Sequence, residues 1–179
     1  KALEKNKKKF GKKRPFTRCI HPFKLFILDN IRKYLNLVKK RLKVLGYKKD
    51  VNFFLSEARM VNYNGNYATE YKNLPRVNPD FIYLDGPNPF TVKNNIDNFT
   101  VSGLDMMPMS CDISKFENFL TPGTIILIDG RSANVRFLLN NFKRDWKPHF
   151  DTTNDQTVLV LDEKPLGPFN KEQINFYKK

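Results

Sequence analysis

Two carboxylates in this chain each follow an apolar stretch and each precede a glycine. Residues 79–87 read PDFIYLDGP and residues 122–131 read PGTIILIDGR, so Asp85 and Asp129 both end an apolar run. A strand that is apolar on both faces is typical of the middle of a parallel sheet covered by helices. Ligands of such sheets bind at the carboxyl ends of the strands, and a glycine there allows close approach. The two segments therefore predict a site with one carboxylate from each strand.

The preceding part of the chain predicts the first elements of this sheet. Residues 24–29 form a short apolar strand, and apolar residues then recur at helical spacing from Ile31 to Leu45, with Gly46 as a stop. Residues 51–56 predict a second strand. Asn-Gly between alternating aromatic residues predicts a hairpin insertion at about residues 60–72.

The following part alternates loops, helices and strands. Residues 86–108 have no clear period and predict a long loop, which in a compact domain is usually functional or mobile. Helical spacing at residues 113–120 and 133–142 predicts two helices, and residues 150–161 predict a closing hairpin. This order is typical of a mostly parallel sheet with right-handed crossovers and an antiparallel strand at its far side.

Length and composition indicate one globular α/β domain at residues 25–163, between a basic segment at 1–24 and a tail at 164–179. The chain has 179 residues, is 40% hydrophobic and contains 16 Phe and 7 Tyr. No apolar run approaches the roughly 20 residues of a membrane span, so no membrane partner is expected. The start is too polar for a signal peptide. Two cysteines without a pairing pattern favour a cytoplasmic location.

The formal charge of +14 raises the question of nucleic-acid binding. The basic residues concentrate in the first eighteen positions and on the helix predicted after residue 30. Blocks of like charge are usually solvated tails or faces, and aromatic residues for base stacking are rare in these segments. Charge alone leaves nucleic acid as an alternative partner that the sequence does not favour. The sequence leaves the oligomeric state open.

From about Leu25 to Leu161 the chain resembles the class I S-adenosylmethionine-dependent methyltransferases. It is similar to bacterial methyltransferase-like proteins that carry DFIYLDGP, a Met-Pro-containing loop and FLxPGTIIxxDGRxxNxRFLxxNFKRxW. The matching segments here are residues 80–87, 106–112 and 119–146. The resemblance implies a Rossmann-like, three-layer α/β fold whose mostly parallel sheet ends in a C-terminal antiparallel hairpin.

The resemblance also implies S-adenosylmethionine as the cofactor. Asp29, with Asn30 beside it, matches the acid after the family's second strand, which holds the ribose hydroxyls. A carboxylate can accept two hydrogen bonds from such a diol, although helix capping is the alternative role. Ser56 and Glu57 match the end of the third strand, near the adenine.

Two further motifs match the side of the family's site where methyl transfer takes place. Asp85, Gly86 and Pro87 match the motif after the fourth strand, which faces the methionine end and the acceptor. Asp129 matches the end of the fifth strand, on the acceptor side. Asp85 and Asp129 are the candidates for the base that takes the acceptor's proton, and each could instead cap a helix or turn.

A second group of residues is expected to contact the acceptor, which we expect to be a small molecule. Arg131 could bind a phosphate or carboxylate on it, although a solvated face is the default interpretation, and Asn134 lies one turn into the following helix. Asp105, Met106 and the neighbouring methionines up to Met109 could line the acceptor pocket, or pack within the loop.

A divalent metal is an alternative that the sequence does not favour. The catechol and caffeoyl-coenzyme A O-methyltransferases bind a cation through an Asp after the fourth strand and an Asp-Asn pair after the fifth. Asp85 and Asp129 match, but Gly130 takes the place of the Asn, and only Asn134 could substitute for it. Oxygen ligands of this kind would suit Mg²⁺.

The chain departs from the family at its start. None of its eight glycines forms a GxG pair, and no apolar strand precedes Leu25. We expect that the sequence lacks the first strand and the glycine-rich loop of its domain. The expected function is S-adenosylmethionine-dependent methyl transfer to an oxygen or nitrogen of a small-molecule or sugar-type acceptor. The alternatives are a non-catalytic, methyltransferase-like module with a basic surface, or an RNA methyltransferase.

Overall fold

The computed structural model describes residues 24–47, 50–103, 107 and 109–177. Residues 1–23 of the predicted basic segment lie outside the described residues, as do Asp105 and Met106. The chain divides into two compact units, Lys1–Leu55 and Ser56–Lys179. In the described ranges, no helix has the length and hydropathy of a membrane span.

The first unit contains a strand–helix–strand motif. Strands β1 (Leu25–Asp29) and β2 (Val51–Leu55) pair in parallel, and helix α1 (Arg32–Val44) connects them. The helix buries Leu35, one of the apolar residues that recur at helical spacing. The strand, helix and strand predicted for this region are confirmed.

Helix α1 ends where the sequence predicts its stop. Gly46 has φ +81°, and its N–H donates to the carbonyl oxygen of Lys43 at 3.1 Å. The N–H of Tyr47 donates to the carbonyl oxygen of Leu42 at 2.9 Å. These two bonds form a Schellman motif, which requires the left-handed conformation that glycine adopts without strain.

The second unit begins with an antiparallel hairpin of β3 (Ala58–Tyr63) and β4 (Asn66–Tyr71). Its two-residue turn is Asn64-Gly65, with φ of 52° and 79°. Positive φ at both turn residues matches the right-handed twist of the strands. The hairpin predicted from Asn-Gly is confirmed. The hairpin contributes to a small buried cluster formed by Ala58, Met60, Val92 and Val101.

A four-stranded mixed sheet follows in the second unit. Its strands are β5 (Phe81–Leu84), β6 (Ile125–Asp129), β7 (Trp146–Asp151) and β8 (Gln156–Leu161), in the spatial order β5-β6-β8-β7. β5 and β6 run parallel, whereas β8 pairs antiparallel with both β6 and β7. The interior strand β6 therefore links the parallel and the antiparallel parts of the sheet.

Helices α2 (Asp112–Phe116), α3 (Ser132–Asn141) and α4 (Pro168–Tyr177) complete the second unit, with 3₁₀ turns at Pro89–Thr91 and Glu117–Phe119. The predicted tail thus contains α4, whose buried Asn170 donates to the carbonyl oxygen of Pro122 at 2.7 Å. The main hydrophobic core consists of Ile113, Leu120, Ile126, Ile128, Val135, Leu138, Trp146, Leu159 and Leu161.

The predicted Rossmann-like, three-layer and mostly parallel sheet is wrong. The described strands form three separate sheets: a parallel pair, an antiparallel hairpin and a mixed sheet with a single parallel ladder. The apolar pattern locates strands, but their pairing depends on contacts far apart in sequence, which the pattern does not encode. β5 is also not covered on both faces as expected, because Phe81 and Tyr83 are 51% and 53% exposed.

One buried carboxylate fixes the connection between α3 and β7. Glu117 is only 3% exposed, and its carboxylate accepts hydrogen bonds from the backbone N–H groups of Lys143 and Arg144 at 3.0–3.1 Å. It also accepts the indole N–H of Trp146 at 2.9 Å. Buried polar groups of this kind stabilise a fold only while all their partners remain satisfied.

The substitution Glu117→Gln should destabilise the second unit. The amide group would place a donor where the carboxylate now accepts, so we expect a loss of about 2–3 kcal/mol in the free energy of unfolding. Urea unfolding followed by fluorescence measures this directly, because Trp146 is the only tryptophan. Glu172→Gln, at an exposed position of α4, is the control. Equal stability of the two variants would contradict the role assigned to Glu117.

Two buried polar side chains, Asp112 and Asn134, join β4, α2 and α3 through Ser110 and Tyr71. Asp112 accepts the N–H of Tyr71 at 3.0 Å and the hydroxyl of Ser110 at 3.0 Å. The amide of Asn134 accepts the N–H of Ser110 at 3.0 Å and donates to its carbonyl oxygen at 3.3 Å. Burial raises the pKa of Asp112 to about 6, although the hydrogen bonds from Tyr71 and Ser110 oppose this shift.

Asp112 should therefore make stability depend on pH. The folded pKa of Asp112 lies above its ordinary value of 3.8. Its contribution to the free energy of unfolding is therefore fully present below pH ~3.8 and is lost as the pH rises through about 6. Asp112→Asn removes this titration. We expect the stability of Asp112→Asn relative to the parent chain to increase by about 2 kcal/mol between pH ~4 and pH ~7.

Denaturant unfolding of both chains at the two pH values tests this expectation. Asp162→Asn, at an exposed position, is the control and should show no such increase. A pH-independent difference between Asp112→Asn and the parent chain would contradict the raised pKa.

Candidate functional site

The two Asp-Gly turns meet at the carboxyl ends of β5 and β6. In the parallel ladder Leu84 lies opposite Ile128, so the residues that follow them, Asp85 and Asp129, come to the same edge of the sheet. The ladder belongs entirely to the second unit. Pairing of the two strands therefore places both predicted carboxylates beside one another, as the sequence led us to expect.

An open cleft of about 510 Å³ lies at this edge. Charged groups from the two turns form one side of it, and exposed apolar side chains from the long loop after β5 form another. Phe90 is 57% exposed and Met107 is 44% exposed. The lining residues are Asp85, Pro89, Phe90, Gly103, Met107, Asp129, Gly130 and Arg131. The cleft thus offers both polar and apolar contacts to a ligand.

Asp129 is held in one orientation by two neighbours. The hydroxyl of Tyr83 donates to its Oδ2 at 2.5 Å, and Nε2 of Gln156 lies 3.4 Å from its Oδ1. A carboxylate has about four acceptor positions, so lone pairs remain for a ligand. The geometry suits a group that accepts a proton or hydrogen bond within the cleft.

The hydrogen bond to Asp129 raises the pKa of Tyr83 to about 12, with smaller contributions from burial and from the charges of Asp129 and Asp85. Ionisation of the phenol would remove this hydrogen bond and place a second negative charge beside the carboxylate. Tyr83 therefore remains protonated near neutral pH and acts as a hydrogen-bond donor.

Asp85 and Arg131 form an ion pair across the mouth of the cleft. Nη2 of Arg131 lies 3.3 Å from Oδ1 of Asp85, and the side chains are 16% and 67% exposed, respectively. An ion pair with such an exposed partner contributes little to stability, so a ligand can replace either partner at low cost. Gly86 has φ +79°, and a Cβ there would lie 3.7 Å from Cζ of Arg131.

The turn after β6 is fixed by the hairpin of β7 and β8. Gly130 has φ +60°, and its N–H donates to the carbonyl oxygen of Asp155 at 2.8 Å. This bond holds the backbone between Asp129 and Arg131, so both side chains start from a defined position. A residue other than glycine would be strained at this φ.

The other predicted cofactor residues belong to other elements of the chain. Asp29 ends β1 in the first unit and Asn30 follows it; Oδ1 of Asp29 accepts the N–H of Ile31 at 2.7 Å. Ser56 is buried before β3, and its hydroxyl oxygen accepts the N–H of Asn73 at 2.9 Å. Glu57 is the exposed residue between Ser56 and β3.

Two further predicted residues, Pro87 and Asn134, are buried. Pro87 is fully buried beside Gly86. Asn134 is 1% exposed and bonds the backbone of Ser110, so it is not among the residues that line the cleft. Its position on α3 could be predicted from the sequence, but its contact with Ser110, 24 residues away, could not.

The described residues offer no cluster for a metal ion. Nowhere in this part of the chain do three His, Cys, Asp or Glu side chains meet with ligand geometry. The alternative set of Asp85, Asp129 and Asn134 is further weakened because the amide of Asn134 already bonds Ser110.

Sequence reasoning missed Pro89, Phe90 and Gly103, which line the cleft, and Tyr83 and Gln156, which orient Asp129. A usable signal existed for Tyr83, since residues two apart in a strand share a face and Tyr83 lies two positions before Asp85. No comparable local pattern marks Phe90, which lies in the loop, or Gln156, which depends on antiparallel pairing with Asp129.

Comparison with known proteins adds no assignment to this geometry. No family model matches the chain, and no curated protein matches it either. The similarity to methyltransferases therefore rests on the sequence motifs described above.

The Tyr83–Asp129 hydrogen bond gives a direct spectroscopic test of the site. We expect Tyr83 to titrate with a pKa of about 12 and to return towards its ordinary value of 10.0 in Asp129→Asn. ¹³C NMR of the chain with labelled tyrosine Cζ follows this titration, and Tyr83→Phe assigns the signal. Asp162→Asn should leave the titration unchanged. A Tyr83 signal that titrates near 10 in the parent chain would contradict the geometry.

Proposed function

We propose that this chain transfers a methyl group from S-adenosylmethionine to an oxygen or nitrogen of a small-molecule or sugar-type acceptor. The observation that carries the proposal is the cleft in which Asp85, Asp129 and Arg131 converge. All three belong to the motifs that resemble the methyltransferases. The proposal includes a reducing, cytoplasmic setting, for which the free thiol of Cys111 is a supporting feature.

The carboxylates of the cleft fit the cofactor in charge. S-adenosylmethionine supplies a methyl group activated by a positively charged sulfur. The carboxylates of Asp85 and Asp129, which line the cleft, carry the opposite charge. Ser56 fits less well, because its buried hydroxyl already binds the backbone of Asn73.

Asp129 is the group best placed to accept a proton from the acceptor. As the acceptor's O–H or N–H bond breaks, the proton would pass to a carboxylate oxygen of Asp129, and the freed electron pair would become available for methylation. Tyr83 donates to Asp129 throughout and keeps the carboxylate oriented. A fixed orientation lowers the entropy cost of reaching the reactive arrangement.

Arg131 and the apolar side of the cleft would orient the acceptor. The guanidinium can donate two parallel hydrogen bonds to an oxyanion or to neighbouring oxygen atoms. Phe90 and Met107 offer exposed apolar surface on the other side, which suits the carbon face of a sugar or of a planar molecule. The acceptor would therefore bind with its reacting atom towards Asp129 and its apolar face towards the loop.

Titration calorimetry with S-adenosylmethionine and S-adenosylhomocysteine tests cofactor binding. We expect Asp85→Asn to weaken binding of S-adenosylmethionine by about tenfold, because it removes a charge opposite to that of the sulfonium. Asp162→Asn, which makes the same change at an exposed position away from the cleft, should bind as the parent chain does. Absence of heat from a folded parent chain would overturn the proposal.

Transfer of radiolabelled methyl groups to a panel of sugars and small hydroxyl or amine compounds tests the chemistry. For any acceptor found, Asp129→Asn should lower kcat by about 100-fold or more and leave the affinity for S-adenosylhomocysteine within about twofold of the parent value. A variant that methylates at the parent rate would exclude Asp129 as the base.

A further inference from the structure

A second groove lies in the first unit, between α1 and β2. It has a volume of about 180 Å³ and is lined on the helix side by basic and polar residues together with Leu35, and on the strand side by apolar ones. The lining residues are Arg32, Leu35, Asn36, Lys39, Phe53 and Leu55. The methyl-transfer proposal uses none of them.

The polar residues of the groove share one face of α1. Arg32, Asn36 and Lys39 are spaced four and three residues apart, so their side chains lie one above another along the helix. Nζ of Lys39 lies 5.9 Å from the centre of the Phe53 ring. Two cations, an amide and an aromatic ring are therefore directed into the same small volume.

Charge in this region is strongly one-sided. Helix α1 carries six basic residues and no acidic one. Among the described residues, the basic members of ion pairs are Arg59, Lys115, Arg131, Arg144 and Lys147, so Arg32 and Lys39 are not among them. A groove with two cations and no described carboxylate partner is complementary to a dianion.

We propose that this groove binds the phosphate group of a small phosphorylated molecule that also has a planar or apolar portion. The guanidinium of Arg32 offers paired N–H donors that match phosphate oxygens, and Lys39 adds a point charge. Asn36 can donate through its amide, while Phe53 and Leu55 contact the rest of the ligand. The groove is smaller than the roughly 300 Å³ of typical ligand pockets, so it suits the phosphorylated end of a molecule.

The helix supplies a matched control for this site. Lys33 and Lys40 have the same seven-residue separation as Arg32 and Lys39, but each lies one residue further along and therefore points about 100° away around the helix. The double variants Arg32→Gln/Lys39→Gln and Lys33→Gln/Lys40→Gln remove the same charge. Glutamine has a helix propensity close to that of lysine and arginine, and all four positions are exposed, so both variants should fold.

Phenyl phosphate is a suitable probe, since it combines a phosphate with a planar ring, and phenol is its uncharged counterpart. In ¹H–¹⁵N spectra of the full chain at physiological ionic strength, we expect saturable shifts around Arg32, Asn36 and Phe53 with phenyl phosphate and none with phenol. Arg32→Gln/Lys39→Gln should weaken binding by about tenfold or more. Lys33→Gln/Lys40→Gln should change it by less than about twofold.

Vesicles of phosphatidylcholine with and without phosphatidic acid identify the source of the phosphate. Retention on the acidic vesicles that is lost only in Arg32→Gln/Lys39→Gln would support the site with a lipid as its ligand. Binding of phenyl phosphate without vesicle retention would support it with a soluble ligand. Absence of saturable binding by phenyl phosphate would overturn the proposal. Equal losses of binding in the two double variants would also overturn it, whether the probe is phenyl phosphate, the acidic vesicles or single-stranded RNA. Such equal losses would indicate a diffuse basic surface.

Discussion

The parallel ladder between β5 and β6 is the constraint on which the candidate site depends. It sets Leu84 opposite Ile128 and so brings Asp85 and Asp129 to one edge of the sheet. A slip of one residue would turn alternate side chains of β6 to the opposite face. The burial of Ile126 and Ile128, 0% and 1% exposed, opposes such a slip because both would leave the core. The geometry of the cleft is therefore fixed by hydrophobic packing behind it.

The neighbouring β8 adds to this constraint from the other side of β6. Its antiparallel pairing sets Gln156 opposite Asp129, and the turn before it provides the carbonyl oxygen that holds Gly130. The side chains of the cleft thus depend on both neighbours of β6, the parallel one for Tyr83 and the antiparallel one for Gln156. A mixed sheet can supply these two kinds of support to a single strand end.

Buried and exposed carboxylates have different parts in this molecule. Glu117 and Asp112 are buried, and each accepts hydrogen bonds from backbone and side-chain donors that hold separate segments of the chain together. Asp85 and Asp129 lie at the open edge and retain acceptor capacity for a ligand. Carboxylates therefore hold the fold together where they are buried. Where they are accessible to water, they remain available to bind a ligand.

Much of the local structure could be predicted from the sequence, whereas the assembly of the sheets could not. Asn64-Gly65 and Gly46 mark a turn and a helix end through their own backbone preferences, and the two Asp-Gly turns follow apolar runs that form strands. The pairing of strands into three sheets instead depends on long-range contacts. The same is true of Asn134, whose amide binds Ser110, and of Gln156, whose place beside Asp129 requires the ladder between β6 and β8.

The edge formed by Asp85, Asp129 and Arg131 is, by this reasoning, a ligand-binding site. The most direct measurement is an assigned ¹H–¹⁵N spectrum of the full chain during titration with S-adenosylhomocysteine. We expect saturable shifts at the amides of Asp85, Gly130 and Arg131, which line the cleft. A folded chain that shows no shifts, or shows them only at residues remote from these turns, would contradict it.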